Sequence, residues 1–107
     1  MMAARSISEQ QLHGLIKENE WVLVDFWAPW CVYCRRIAPA YEKVAQQFGE
    51  HVVIAKVDID QEPALAEQEQ IEVIPSLVLY RDGKAVGSLV APESKAMIDA
   101  FLAQHLQ

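Results

Sequence analysis

Runs that are apolar at nearly every position alternate along this chain with runs whose apolar residues recur every third or fourth position. Val22-Leu23-Val24-Asp25-Phe26-Trp27 is of the first kind, and such a run predicts a strand, Trp21–Trp27, covered on both faces. Val52–Asp58 and Ser76–Arg81 read the same way. Ser8 to about Glu18 is of the second kind and predicts a helix, with Ser8 and Gln11 placed as a capping box. A second helix is expected from Cys31 to about Phe48, kinked at Pro39 and ended by Gly49. Glu62-Pro63 opens a short helix through about Gln70, with Pro63 suited to its first turn. Asp82-Gly83 is a two-residue hairpin turn, so Lys84–Val90 returns as an edge strand. Met97, Ile98, Phe101, Leu102 and Leu106 place a last helix over about Glu93 to Leu106. Met1–Ser8 lacks a clear alternation, so residues 1–7 are expected to be poorly ordered or a short edge strand. Alternation followed by a hairpin implies a three-layer α/β/α sandwich with a central mixed sheet of four to five strands, one domain over residues 1–107.

Composition narrows the functions open to such a domain. At 107 residues, 52% hydrophobic and 22% charged, the chain is globular and can bury a core. Its formal charge of −6 argues against nucleic acid or an anionic membrane as partner. No apolar run approaches the roughly 20 residues of a membrane span. Met1-Met2-Ala3-Ala4-Arg5-Ser6 lacks the apolar core of a signal peptide, so the expectation is a cytoplasmic monomer; a removed upstream targeting segment stays open.

The chemistry is concentrated in Trp30-Cys31-Val32-Tyr33-Cys34, which holds both cysteines of the chain. On a helix, residues three apart lie about 5–6 Å from one another, within the roughly 4.4–6.8 Å between Cα atoms that a disulfide tolerates. So short a loop would stabilise the fold little if bridged, which favours reactivity over stapling. A strand leading through Ala28-Pro29 into a helix that carries Cys-x-x-Cys is a dithiol redox site. His13, His51 and His105 show no metal-ligand spacing relative to Cys31, and a zinc or iron–sulfur site needs about four ligands. Neither a metal nor a bound cofactor is expected. Asp58 and Asp60 read as loop caps.

Over nearly its whole length the chain resembles the thioredoxin family. The resemblance rests on Val24-Asp25-Phe26-Trp27-Ala28, Trp30-Cys31-x-x-Cys34, Ile37-Ala38-Pro39, Ala55-Lys56-Val57-Asp58-Ile59-Asp60-Gln61, Ile74-Pro75-Ser76 and Tyr80-x-Asp82-Gly83. It departs from the family at Val32-Tyr33, where Gly-Pro is usual, at Glu72-Val73, at Ala91 in place of a glycine, and in the indistinct first strand. The resemblance implies a thioredoxin fold and a cis peptide bond before Pro75, which then faces the dithiol. It also implies electrons drawn from NADPH through a flavin-dependent thioredoxin reductase.

In this setting Cys31, where a helix N-terminus stabilises a thiolate, is the expected nucleophile. Cys34, one turn further in, resolves the mixed disulfide. Asp25, a carboxyl inside an apolar strand, is expected to be buried with a raised pKa and to take the Cys34 proton. Lys56 on a neighbouring strand pairs with Asp25 or snorkels to the surface. Trp30, Val73, Ile74, Pro75 and Ala91 form the substrate rim, where the backbone of Ile74 pairs with an extended protein substrate. Trp27 packs beneath.

Three functions compete: a general protein-disulfide reductase; a more oxidising thiol carrier, oxidase or isomerase; and a binding module with incidental cysteines. With Val32-Tyr33 in place of a proline, one more backbone N–H becomes available to Cys31, and Arg35 and Arg36 add positive charge. These shifts predict a couple about 30–90 mV more oxidising than a Gly-Pro thioredoxin, or about 1.4–4 kcal/mol.

Overall fold

The computed structural model describes residues 3–106. In chain order the elements are β1 (Arg5–Ser6), α1 (Glu9–Glu18), β2 (Trp21–Trp27), α2 (Val32–Phe48), β3 (Val53–Asp58), α3 (Pro63–Gln68), β4 (Ser76–Arg81), β5 (Lys84–Val90) and α4 (Lys95–His105). The strands form one sheet in the order β1-β3-β2-β4-β5. β1 and β2 run parallel to β3, whereas β4 is antiparallel to both β2 and β5, so the sheet is mixed.

The near-continuous apolar character of β2 follows from its central place. Successive side chains leave a strand on opposite faces. Leu23, with Leu77 and Leu79 of β4, packs against α2 and α4 through Tyr41, Val44, Ile98 and Leu102. Val22, Val24 and Phe26, with Val78 and Tyr80, pack on the other face with Leu12 of α1 and Leu65 of α3. Asp25 follows Leu23 by two positions, so it faces the α2 side. That parity points its carboxyl toward the cysteine-bearing helix.

The ends of the elements follow their capping chemistry. The Ser8 hydroxyl accepts from the Gln11 N–H, and the Gln11 side chain accepts from the Ser8 N–H, a complete capping box for α1. α2 runs unbroken through Pro39, and the Gly49 N–H caps it by donating to Ala45 O. α4 begins two residues later than the apolar spacing suggests, because Ser94 is the residue that accepts from the Met97 N–H. α3 ends two residues early; Gln70 adopts φ +59°, which turns the chain out of the helix. Asp82 and Gly83 both take positive φ, +51° and +88°, as a two-residue hairpin turn with right-handed strand twist requires.

The first strand is short but present. Arg5 and Ser6 pair with Ala55 and Lys56 of β3, and the Ala4 N–H donates to Glu42 Oε1 of α2 at 3.0 Å. Met1, Met2 and Gln107 lie outside the described residues.

Candidate active site

The C-terminal end of β2 delivers Ala28-Pro29-Trp30 into the first turn of α2, and Cys31 is the N-cap of that helix. Its extended backbone (φ −84°, ψ 114°) turns the sulfur over the open helix end, where Sγ accepts from the Cys34 N–H at 3.2 Å. A backbone donor normally left without an intrahelical partner therefore stabilises negative charge on this sulfur. The donor is the N–H of Cys34, and a proline at position 33 would leave it in place. The extra donor expected from Tyr33 is not what caps the sulfur. As a thiol, Cys31 points its S–H toward Ile74 O at 3.8 Å.

Both thiols are free, and both are buried. Cys31 keeps 7% of its surface and Cys34 only 2%, packed with Ala28 against Trp27, Ile59 and Ile74. The ranking is as expected, with Cys31 the outer sulfur. Burial, the bond to Cys31 and the nearby charges of Cys31 and Asp25 push the Cys34 thiol up to about 12, so it holds its proton at neutral pH.

Asp25 lies beneath, 4% exposed, with Oδ1 buried and without a hydrogen-bond partner among the described residues. Burial raises its carboxyl to about 7, and the positive charge of Lys56 works in the opposite sense. Asp25 and Lys56 are register partners across β2 and β3. They form no direct ion pair: the Lys56 ammonium instead lies over the Trp27 ring, 5.1 Å from its centroid. Lys56 thus acts on Asp25 at a distance, through its field. Between these groups is a cavity of about 50 Å³ lined by Asp25, Cys34, Lys56, Tyr41 and Glu42, among others. That is room for about one water, in a lining with enough polar atoms to hold it.

The rim is built from three segments. The Ile74–Pro75 bond is cis, and the Ser76 hydroxyl donates to Val73 O, closing the turn that carries it. The Ala91 N–H donates to Pro75 O at 2.7 Å, which ties the end of β5 to that turn. Trp30, Val32, Tyr33 and Val73 are exposed around the sulfur. The structure therefore brings Ile74 to the dithiol, with Val73 and Pro75 on the same turn, Ala91 tied to that turn through Pro75, and Trp30 next to Cys31 in the chain.

Two contributors were not legible as such. Asp60 Oδ2 accepts from the Trp30 indole N–H at 2.9 Å and so anchors the exposed ring; the loop-capping role falls to Asp58, whose Oδ1 accepts the Asp60 N–H. Nothing local in the sequence marks a partner 30 residues away. Tyr41 donates its buried hydroxyl to Ala55 O at 2.6 Å and lies 3.2 Å from Leu23 O, spanning β3 and β2 beside the cavity. Its signal was a phenol on an otherwise apolar helix face. Among the described residues no three of His, Cys, Asp and Glu are arranged to hold a metal ion.

Residues 4–104 match the family model described as Thioredoxin. The chain is 42% identical over 85 residues to Thioredoxin 1 of Synechococcus elongatus, covering 79% of each. It is 35% identical over 107 residues to Thioredoxin 1 of Nostoc sp., covering 99% of this chain and all of the relative. Among solved structures, the thioredoxin of Plasmodium falciparum superposes with a TM-score of 0.87 at 31% identity, covering 94% of this chain and 98% of its own. That of Malassezia sympodialis superposes with a TM-score of 0.89 at 28% identity, covering 98% and 92%.

Proposed function

This chain belongs to the thioredoxin family and is a thiol–disulfide oxidoreductase with Cys31 and Cys34 as its redox-active pair, and we propose that it works as a protein-disulfide reductase. The Cys31 thiolate attacks one sulfur of a substrate disulfide. The substrate S–S bond breaks, an S–S bond to Cys31 forms, and the departing substrate thiolate takes a proton from water. Cys34 then gives its proton to the Asp25 carboxylate and attacks Cys31 Sγ. The Cys31–Cys34 disulfide closes and the second substrate sulfur leaves as a thiolate, which takes a proton from water. Two electrons have passed to the substrate.

The single observation that carries this reading is the pairing of an N-capped outer sulfur with an inner thiol that shares a cavity with Asp25. Burial alone would leave Cys34 inert. Part of what holds its proton comes from Cys31, through their hydrogen bond and the charge on the outer sulfur. Once Cys31 is bound to substrate, that contribution goes, and a carboxyl titrating near 7 is well matched to take the proton.

Trp30, Val73, Ile74, Pro75 and Ala91 make the substrate rim, with the backbone of Ile74 offered for strand-like pairing to an extended polypeptide. A disulfide-containing protein fits this apolar surface. The oxidised pair is recharged by a flavin-dependent thioredoxin reductase drawing on NADPH, in a cytoplasm that keeps thiols reduced, with the chain acting as a monomer. The more oxidising reading rests on Arg35, Arg36 and the altered rim, because the donor seen at the sulfur is the Cys34 N–H, which a proline at position 33 would also leave free. Insulin reduction in dithiothreitol tests the assignment. Cys31→Ser is expected to abolish turnover, and full activity in that variant would remove Cys31 from its role.

A further inference from the structure

We infer that the groove beside Cys31, walled by Tyr33 and Arg36 on one side and Glu93 on the other, is a specificity subsite for one large uncharged side chain next to the substrate's reacting cysteine. The inference rests on the reductase reading above. The groove encloses about 440 Å³ and is lined by Tyr33, Arg36 and Ile37 of α2 and by Ala91, Pro92 and Glu93 after β5. Two of its lining residues adjoin the redox site. Tyr33 lies between the two cysteines in sequence, and Ala91 is hydrogen-bonded to the cis-proline.

Tyr33 is 66% exposed but not loose. The Arg36 guanidinium, three residues on along the helix, lies over its ring at 5.5 Å from the centroid. A ring already held in place costs less to order when a ligand packs on it. Ile37 and Pro92 are buried and give the groove an apolar floor. The volume admits an aromatic side chain, which buries about 150–250 Å² when enclosed.

Charge decides what kind of side chain that is. Arg36 and Glu93 line the same groove yet form no ion pair with each other among the described residues. A substrate lysine or arginine entering it meets Arg36 as a like charge and Glu93 as an opposite one, and an aspartate or glutamate the reverse, so neither sign gains a net Coulombic preference while both lose hydration on the apolar floor. An uncharged ring or long aliphatic chain meets no such penalty and gains the Tyr33 and Pro92 surfaces.

The test uses four matched disulfide peptides that differ only at the residue following the cysteine: Phe, Gly, Glu or Lys. For the parent chain, kcat/KM is expected to be about tenfold higher for Phe than for Gly, with Glu and Lys at or below Gly. Tyr33→Ala should bring the Phe-to-Gly ratio close to one. Glu93→Gln should raise kcat/KM for the Glu peptide about threefold and leave the Phe-to-Gly ratio intact. A parent that reduces all four peptides within twofold of one another keeps its reductase activity but has no such subsite. A Phe-to-Gly ratio unmoved by Tyr33→Ala, or a Glu peptide indifferent to Glu93→Gln, also overturns the inference. If none of the four peptides is reduced, the reductase reading fails and the subsite falls with it.

Discussion

Asp25 and Lys56 face each other across β2 and β3 without touching: they are register partners, but the ammonium rests on the Trp27 ring and one carboxylate oxygen has no hydrogen-bond partner among the described residues. A salt bridge here would have held the carboxyl low and made it useless as a base near pH 7. The separation leaves burial dominant and the carboxyl near 7.

That arrangement costs stability, with a definite sign. In the folded chain Asp25 keeps its proton to about pH 7, whereas the ordinary value is 3.8. Between those values the folded state holds the additional proton, so stability falls as pH rises, and the full deficit is present above about pH 7. At about 1.4 kcal/mol per pH unit, roughly three units amount to ~4 kcal/mol. Asp25→Asn removes the charge but leaves a buried amide, so a gain of about 2–4 kcal/mol at pH 8 and almost none at pH 4 is expected. Urea unfolding at the two pH values checks it; a gain that does not depend on pH would contradict the assignment.

The same substitution should slow the second half of the reaction. Without a carboxylate to take the Cys34 proton, closure of the Cys31–Cys34 disulfide at pH 7 is expected to slow about 100-fold, a usual size for a lost general base. Attack by Cys31 should change far less. Rapid-quench trapping during single turnover would show mixed disulfide building up in Asp25→Asn but not in the parent. No build-up would mean that Cys34 loses its proton by another route.

Much of this was readable beforehand because the signals are local. The Ser8–Gln11 box, the apolar run of β2 with its one carboxyl, the Cys31–Cys34 spacing and the Asp82-Gly83 turn are each decided within a few residues. Relationships between distant segments were not. Whether Lys56 would pair with Asp25 or lie on Trp27 depends on side-chain packing that register alone leaves open. Which N–H reaches the Cys31 sulfur depends on the extended N-cap backbone, and Asp60 had no mark tying it to Trp30. The limits of α3 and α4 shifted by two residues where a cap or a positive φ outweighed apolar periodicity.

Asp60 tethers the exposed Trp30 ring by accepting its indole N–H. Asp60→Ala should free that ring, so each binding event must order it again, at a cost of about 0.5–1.5 kcal/mol. The expected result is a KM for insulin raised about three- to tenfold with kcat nearly unchanged. A fall in kcat at constant KM would instead place Asp60 in the chemistry.

Tyr41→Phe removes a buried hydroxyl from the carbonyls of Ala55 and Leu23 while keeping the ring. The expected loss is about 1–2 kcal/mol, the usual result of stripping a buried carbonyl of its donor. Urea unfolding at pH 7 measures it. A variant as stable as the parent would show that those carbonyls are satisfied without the phenol.

Ala91 sits at φ +48°, in the left-handed region, where a Cβ crowds the backbone at a cost of about 1–2 kcal/mol. Its N–H bond to Pro75 O keeps it there, so the strain is held at the rim of the redox site. Ala91→Gly relieves the crowding, while the freer unfolded chain takes back about 0.4–1 kcal/mol. The net gain should be about 0.5–1 kcal/mol, or roughly 4 °C in Tm for a domain this small. Ala91→Val should go the other way by 1 kcal/mol or more (about 1–2), because branching at Cβ aggravates the same clash. If glycine destabilises and valine does not, the left-handed backbone at position 91 is not a source of strain.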